Sequence, residues 1–347
     1  VIPVFNAERT LRATVDSVLA QSGPSCEIIL VDDGSTDASA AVCDSLSESY
    51  PQVRVVHTEN RGVSAARNTG IAAATGEYVM FMDADDLLKD EALKSLYIPD
   101  QDFVVAGFEK VTASSVVKYL PDMSEAYEGT ESICDFFDMM IKEEQCYLLN
   151  SPCFKLFRRS LIAEKSISFV EGLSYAEDKI FVMSFLYHAS KVHTVAQVVY
   201  SYMIQEESLS SDMTSDRHLE QVFRLLREYE PLLARLTSRY GESSMLAGLY
   251  HTDLVSRYVC RILTAFLLKP SALAVSDNIR QLYAYMDADS HLGLFSIRAG
   301  QIPNLILYRL GNPPFSERVY ALTSSICSFD IIISCCSRKF LRYSSLV

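Results

Sequence analysis

Asp83-Ala84-Asp85-Asp86 closes the apolar run Tyr78-Val79-Met80-Phe81-Met82. A buried strand of an open α/β sheet delivers its carboxyl end to the ligand crevice, so Asp83 and Asp85 are expected where a substrate sits. Two carboxylates one residue apart can divide their roles, one binding a hard divalent cation and the other reaching a neighbouring hydroxyl. Mg2+ or Mn2+ held in this way completes its shell with phosphate oxygens and water, which suggests a nucleotide. Acidic residues after a strand can instead satisfy the orphan amides of a helix start. That role is open to Asp86 or Asp90, ahead of Glu91-Ala92-Leu93-Lys94-Ser95-Leu96.

The elements that must position these side chains are legible from periodicity. Val1-Ile2-Pro3-Val4-Phe5-Asn6 predicts a strand leaving into a loop, and Leu11, Val15, Val18 and Leu19 predict an amphipathic helix after it. Glu27-Ile28-Ile29-Leu30-Val31 predicts a second buried strand, again ending in carboxylates, with Thr36 or Asp37 capping a helix through Leu46. Val53-Arg54-Val55-Val56-His57 is a third strand, and the stretch from Asn60 to Gly70 opens a helix with cations near its start. Tyr78 to Asp83 is the fourth. Strand and helix therefore alternate four times, which predicts a parallel sheet with right-handed crossovers and a ligand at its carboxyl edge.

The pieces Pro3-Val4-Phe5-Asn6, Val31-Asp32-Asp33-Gly34-Ser35-Thr36-Asp37, Asn60-Arg61-Gly62 with Ala66-Arg67-Asn68-Thr69-Gly70, Asp83-Ala84-Asp85-Asp86 and Glu177-Asp178 occur in a telling order. Together they resemble glycosyltransferase family 2, over about residues 1–210. Five coincident matches are far more specific than any one of them. The resemblance implies an inverting, metal-dependent transferase that takes a sugar from a nucleoside diphosphate. It implies a GT-A type fold, a Rossmann-like, mostly parallel α/β sheet flanked by helices. The expected organisation is a catalytic domain at 1–214, with a donor half 1–100 and an acceptor half 101–214, followed by a helical region at 215–347.

By the same resemblance, Pro3, Phe5 and Asn6 form a wall for the nucleobase, with Glu8 close to the ribose or base. Phe5 could equally be ordinary core. Asp33 would accept a hydrogen bond from the base imide, while Asp32 could be structural. Arg67 would meet the base or the phosphates through its planar fork, although an Arg in a first helical turn is often a solvated side chain. Arg61 lies on the same donor side, Asp83 would bind the ribose, and Asp85 would ligate Mn2+ or Mg2+. Inversion needs a base opposite the departing nucleotide to take the proton of the acceptor hydroxyl. The resemblance assigns that role to Asp178, with Glu177 as its orienting neighbour. If both are ionised, repulsion raises the proton affinity of one, which suits a base. The pair also heads a helix through Phe181, Phe185 and Leu186, where negative charge is favoured.

The acceptor region is less regular. Asp102 to Phe108 predicts a fifth strand, and Glu131 to Lys142 an amphipathic helix. The segment Ser151 to Ser160 resembles the family stretch in which a Lys, here Lys155, precedes a short strand and helix. The usual Trp-Asn before it is replaced by Cys153-Phe154, a change that bears on acceptor selection. Many relatives carry an Arg two or three residues beyond the position of Tyr202, near the diphosphate. This chain reads Met203-Ile204-Gln205-Glu206-Glu207-Ser208, so Arg61, Arg67, Lys155 or the metal must supply the positive charge. The Gln-x-x-Arg-Trp element of processive synthases is missing and there is no Trp at all, which favours addition of a single sugar.

Beyond about residue 215 helical periodicity dominates, as in 218–226 and 250–268, with breaks at Gly241, Pro270 and Pro303. Negative charge is concentrated in residues 1–214, and the remainder is mildly basic. Ile331-Ile332-Ile333 with Arg338, Lys339 and Arg342 is the candidate for peripheral contact with an anionic membrane, a packed helical bundle being the alternative. A net charge of −13 argues against nucleic acid as a partner. No run of about eighteen uncharged apolar residues suggests a spanning helix. Nine cysteines without a Cys-x-x-Cys pair read as thiols of a reducing cytoplasm. The expectation is a bacterial, cytoplasmic transferase, at most peripheral to the membrane, moving sugar from a UDP-sugar to a glycan or lipid-linked glycan acceptor. Two other readings are a nucleotidyltransferase, which would want basic residues for a triphosphate, and a non-catalytic sugar-nucleotide binder, which would have no use for Asp178.

Overall fold

The computed structural model describes residues 1–140, 146–204 and 216–240, all within one compact unit, Val1–Ile262. The first half alternates as expected: β1 (Ile2–Val4), α1 (Leu11–Leu19), β2 (Ile28–Asp33), α2 (Ser39–Ser49), β3 (Val53–Thr58) and α3 (Val63–Ala73). The three strands form a parallel sheet in the order β1-β2-β3, with Val4 opposite Asp32 and Asp33 opposite Thr58. Every residue of β2 is buried, as a strand covered on both faces requires. Ala66 of α3 packs on Ile29 and Val31. The closeness of α3 depends on Gly70, where a Cβ would stand 2.2 Å from Val1 Cγ1. Gly34 takes φ +68° in the turn after β2, and a Cβ there would lie 2.8 Å from the Asn60 nitrogen.

The chain then changes sheets. β4 (Tyr78–Val79), β5 (Leu87–Leu88), α4 (Ala92–Leu96), β6 (Phe103–Val111), β7 (Val116–Tyr119) and β8 (Glu125–Glu128) are followed by α5 (Gly129–Met140). After these come β9 (Lys155–Arg158), α6 (Arg159–Lys165), α7 (Glu177–His188), β10 (Lys191–Met203) and α8 (Asp216–Tyr240). The second sheet runs β4-β9-β6-β10-β5, with β7 beside β6 and β8 beside β10; β6 and β10 are parallel and the other pairs antiparallel.

The expected fourth strand, Tyr78 to Asp83, is thus not a further rung of the parallel sheet. Only Tyr78 and Val79 form a ladder, with β9, and Phe81 adds a single bridge to Cys153. Its backbone nevertheless touches β1: the Val1 nitrogen donates to Met80 O at 2.8 Å, and Met82 N–H to Val1 O at 3.1 Å. This segment therefore seams the two sheets. Phe81 anchors it in an aromatic core, 5.2 Å from Phe169 and 5.4 Å from Phe181, which themselves stack at 4.0 Å. Two residues later the backbone emerges as Asp83.

The expected fifth strand is β6, and the amphipathic helix from Glu131 is α5 as far as Met140. The helix expected at 218–226 belongs to α8, which continues through Pro231 to Tyr240 and buries Leu225, Leu232, Leu233 and Leu236. Tyr240 donates its hydroxyl to Leu186 O at 3.0 Å, docking α8 on α7. Residues 205–208, the helix expected at 250–268 and the candidate membrane contact at 331–342 lie outside the described residues. Among the described residues no helix is long and apolar enough to cross a membrane.

Candidate active site

At the carboxyl edge of the first sheet, acidic side chains are engaged by the chain itself. Asp33 is buried and accepts the backbone N–H of Arg61 at 2.9 Å and of Gly62 at 2.7 Å, fixing the start of α3. Asp32 accepts the Ser35 N–H at 3.0 Å and faces His57 Nδ1 at 2.9 Å. Burial alone would raise its pKa, but these hydrogen bonds bring it below the ordinary value. Asn6 Oδ1 accepts the Thr36 N–H at 2.8 Å, Glu8 accepts the Ala38 N–H at 2.9 Å, and Asp37 accepts the Glu8 N–H at 3.2 Å. Asp37 also accepts the Ser39 N–H at 2.9 Å, but the N-cap of α2 is Ala38 and no side chain caps it, so neither Thr36 nor Asp37 is the cap expected from the sequence. Asn6, Glu8 and Asp33 thus reach the sheet edge together, where they brace two crossing loops. Pro3 sits within β1 opposite Val31. The core alternative for Phe5 is corrected: the residue is 49% exposed beside these loops.

The carboxylates after β4 divide differently. Asp86 was a candidate helix cap, but α4 is preceded by Glu91 in the left-handed region, and no side chain caps it. Asp86 is instead fully buried and accepts the Tyr200 hydroxyl at 2.6 Å and the Met203 N–H at 2.8 Å. Tyr200 in turn receives the Asp83 N–H at 3.2 Å. The turn 83–86 is therefore pinned to the end of β10, a partner far away in sequence. Among the described residues Asp85 has no such partners. Burial and then the charge of Asp83 push its pKa up, and among the described residues no cation lowers it. A divalent cation fits that environment because it would relieve both effects. Among the described residues no group of three or more ligating side chains exists, so a cation at Asp85 would complete its shell from phosphate and water.

The centre of the site is Arg67. Neither a solvated side chain nor one free to meet a phosphate, it is buried, with 4% of its side chain exposed. Its Nη2 lies 3.0 Å from Asp83 Oδ1, and its Nη1 donates a short bond to Asp178 Oδ1 and lies 3.6 Å from Glu177 Oε1. Burial opposes the guanidinium charge, but Asp178 and Asp83 outweigh it and hold the proton more firmly than usual. For Asp178 burial dominates: its pKa is raised despite Arg67, with Glu177 and Asp83 adding repulsion. Glu177 is raised for the same first reason. Both stand in the first turn of α7, where the helix start also favours negative charge. With 22% of its side chain exposed, Asp178 can still meet an incoming hydroxyl.

Lys155 is wholly buried, donating to Ser151 O at 2.6 Å and Cys153 O at 3.1 Å, with Nζ 3.6 Å from the centre of the Phe154 ring. Burial holds its pKa well below the ordinary value. Arg61 is the exposed cation, paired at the surface with Glu171. Tyr200 and Asn68 were assigned no role from sequence. Asn68 clips the chain at Phe169, donating from Nδ2 to its carbonyl at 3.0 Å and accepting its N–H at 2.8 Å. Asn68 at least stood inside a quoted motif; Tyr200, in an apolar run, carried no signal at all.

Comparisons with known proteins address the family and the fold. The family model "Glycosyl transferase family 2" matches residues 1–164. The glycosyltransferase GlyG of Streptococcus pneumoniae is 30% identical over 236 residues, 64% of this chain and 77% of its own. The poly(ribitol-phosphate) beta-glucosyltransferase of Bacillus spizizenii is 31% identical over 215 residues, 60% of this chain and 32% of that enzyme. Among solved structures, S. aureus TarS 1–349 in complex with UDP shares the fold, with a TM-score of 0.60 at 20% identity, covering 83% of this chain and 81% of that one. The relative that is 30% identical and 77% covered, together with the family model, shows that the chain belongs to glycosyltransferase family 2.

Proposed function

We propose that this glycosyltransferase moves a single sugar, with inversion, from a UDP-sugar to a hydroxyl of a cell-surface glycan, working in the cytoplasm. The observation that carries this reading is the convergence of Asp83, Glu177 and Asp178, from two distant segments, on one buried guanidinium. Asp178 takes the acceptor proton as the hydroxyl oxygen attacks the anomeric carbon, and the bond to the diphosphate breaks on the opposite face with its electron pair leaving on UDP. Its raised pKa places its proton affinity nearer neutrality, where a base is most effective. Asp83 receives the ribose, and Asp85 holds Mn2+ or Mg2+. When bound there, the cation would neutralise charge developing on the diphosphate.

The exposed Phe5 offers a face for the base, while Pro3, Asn6, Glu8 and Asp33 set the loops behind it. Arg67 and Lys155 are buried and engaged, so Arg61 is the cation on hand for the diphosphate. Its exposed pairing with Glu171 is worth at most about 1 kcal/mol and would yield to a phosphate. The donor class is suggested by the UDP bound to TarS, and the acceptor class by the Bacillus spizizenii relative named for poly(ribitol phosphate).

Calorimetric titration with UDP, GDP, dTDP and CDP, each with Mn2+ and with EDTA, tests the donor site. Binding of UDP alone, and only with metal, is the expected result; binding of none of the four overturns it. The anomeric configuration of the product, read by NMR, tests inversion, and retention would refute the role of Asp178.

A further inference from the structure

We infer that Arg67 is a positioning residue that orients the base Asp178 and ties it to the donor-binding Asp83, and that it is not itself an anchor for the donor. The inference rests on the reading of Asp178 and Asp83 given above. Three observations support it. The fork of Arg67 is divided between carboxylates from the two halves of the site, Nη2 to Asp83 and Nη1 to Asp178. Its Cζ lies 5.3 Å from the centre of the Phe169 ring, and Asn68, the next residue, holds the Phe169 backbone by two hydrogen bonds. With 4% of its side chain exposed, it offers no surface to a phosphate.

The consequence is geometric. One oxygen of Asp178 is fixed by the guanidinium, and Glu177 shares a side-chain hydrogen bond with the same carboxyl, so the face turned to the acceptor hydroxyl is set by its neighbours. The same planar group sets Asp83, so the position of the donor ribose and that of the base are referred to one rigid fork. A lysine could reach one carboxylate at a time but could not hold both in register. The groups facing Asp178 are Arg67 and Asp83 from the donor half, Glu177 beside it on α7, and Lys155 from β9.

The test uses the full chain and two variants, Arg67→Lys and Arg67→Met, with circular dichroism to confirm folding. Carboxyl-13C NMR of Asp-labelled protein, with Asp178 assigned through Asp178→Asn, reads the titration midpoint of the base without need of an acceptor. Calorimetry with UDP and Mn2+ reads the donor site. In Arg67→Met the midpoint of Asp178 should rise by about one unit or more, because a contacting cation is removed. Arg67→Lys should fall between it and the wild type. UDP affinity should fall by less than about tenfold in both variants, because Asp83 loses one partner while Arg67 itself gives the donor no contact. An unchanged midpoint in Arg67→Met, or a more than tenfold loss of UDP affinity in both, would overturn the inference. If Arg67→Met fails to fold, Arg67→Lys decides alone: a midpoint equal to that of the wild type refutes the positioning role. Failure of the underlying reading looks different, because Asp178→Asn would then retain turnover of UDP-sugar in the wild-type background.

Discussion

Two clusters of carboxylates lie at strand ends of this molecule, and they differ in what satisfies them. Around β2 the acceptors Asp32, Asp33, Asp37 and Glu8 meet backbone N–H groups at 2.7–3.2 Å, a pattern that closes loops. Around Arg67 the side chains Asp83, Glu177 and Asp178 share one buried guanidinium, and Asp85 has no cation partner among the described residues. The same residue types therefore serve as scaffold in one place and as unspent charge in the other. A carboxylate that already accepts amides has part of its capacity taken up by the chain, whereas an excess of buried negative charge is relieved by a metal, a hydroxyl or a proton.

Substitutions test that contrast most sharply at the second cluster. Asp178→Asn should lower turnover on the order of 10³-fold while leaving UDP binding intact, as loss of a general base does; parallel loss of binding would merge the two roles. Asp85→Asn should weaken metal-dependent UDP binding by more than about tenfold in calorimetry, with little effect in EDTA. In the first cluster the effect should move from chemistry to stability. Asp33→Ala leaves two amides of the α3 start without their acceptor, at a cost of about 2 kcal/mol in denaturant unfolding. Were Asp33→Ala to abolish UDP binding at unchanged stability, Asp33 would belong with the chemical group instead.

The smallest effect concerns His57. Hydrogen bonds to Asp32 and then Asp44 raise its pKa above the ordinary 6.5, against a lesser opposing contribution from burial. The folded state thus prefers the protonated ring, so this contribution is complete below pH 6.5 and is lost as pH rises through the raised value. Stability of the wild type should decline slightly across that window, and His57→Asn should flatten the decline. A decline of the same size in the variant would place its origin elsewhere.

Much of the architecture was legible because it depends on local pattern. The run Ile28 to Val31 could only be a covered strand, and Thr36-Asp37 marked the start of α2. Tyr78 to Asp83 was misread as a fourth parallel strand, since periodicity cannot say which neighbour a strand chooses. The cap role left open for Asp86 or Asp90 is not filled by Asp86 for a similar reason: its partners, Tyr200 and Met203, lie more than a hundred residues away. Phe5 looked equally fit for core and surface until packing left it exposed.

Residue type and order determined that strand-end carboxylates, an acidic helix start and a basic helix start would exist, because strands and helices follow from local side-chain spacing. They determined the family for the same reason, since its motifs are short and local. Only the tertiary structure decided that Arg67 would be buried between Asp83 and Asp178, and that Asp33 would accept the Arg61 and Gly62 amides just ahead of α3. Burial and charge pairing depend on which distant segments meet, and it is those two quantities that separate a structural carboxylate from one able to bind or react.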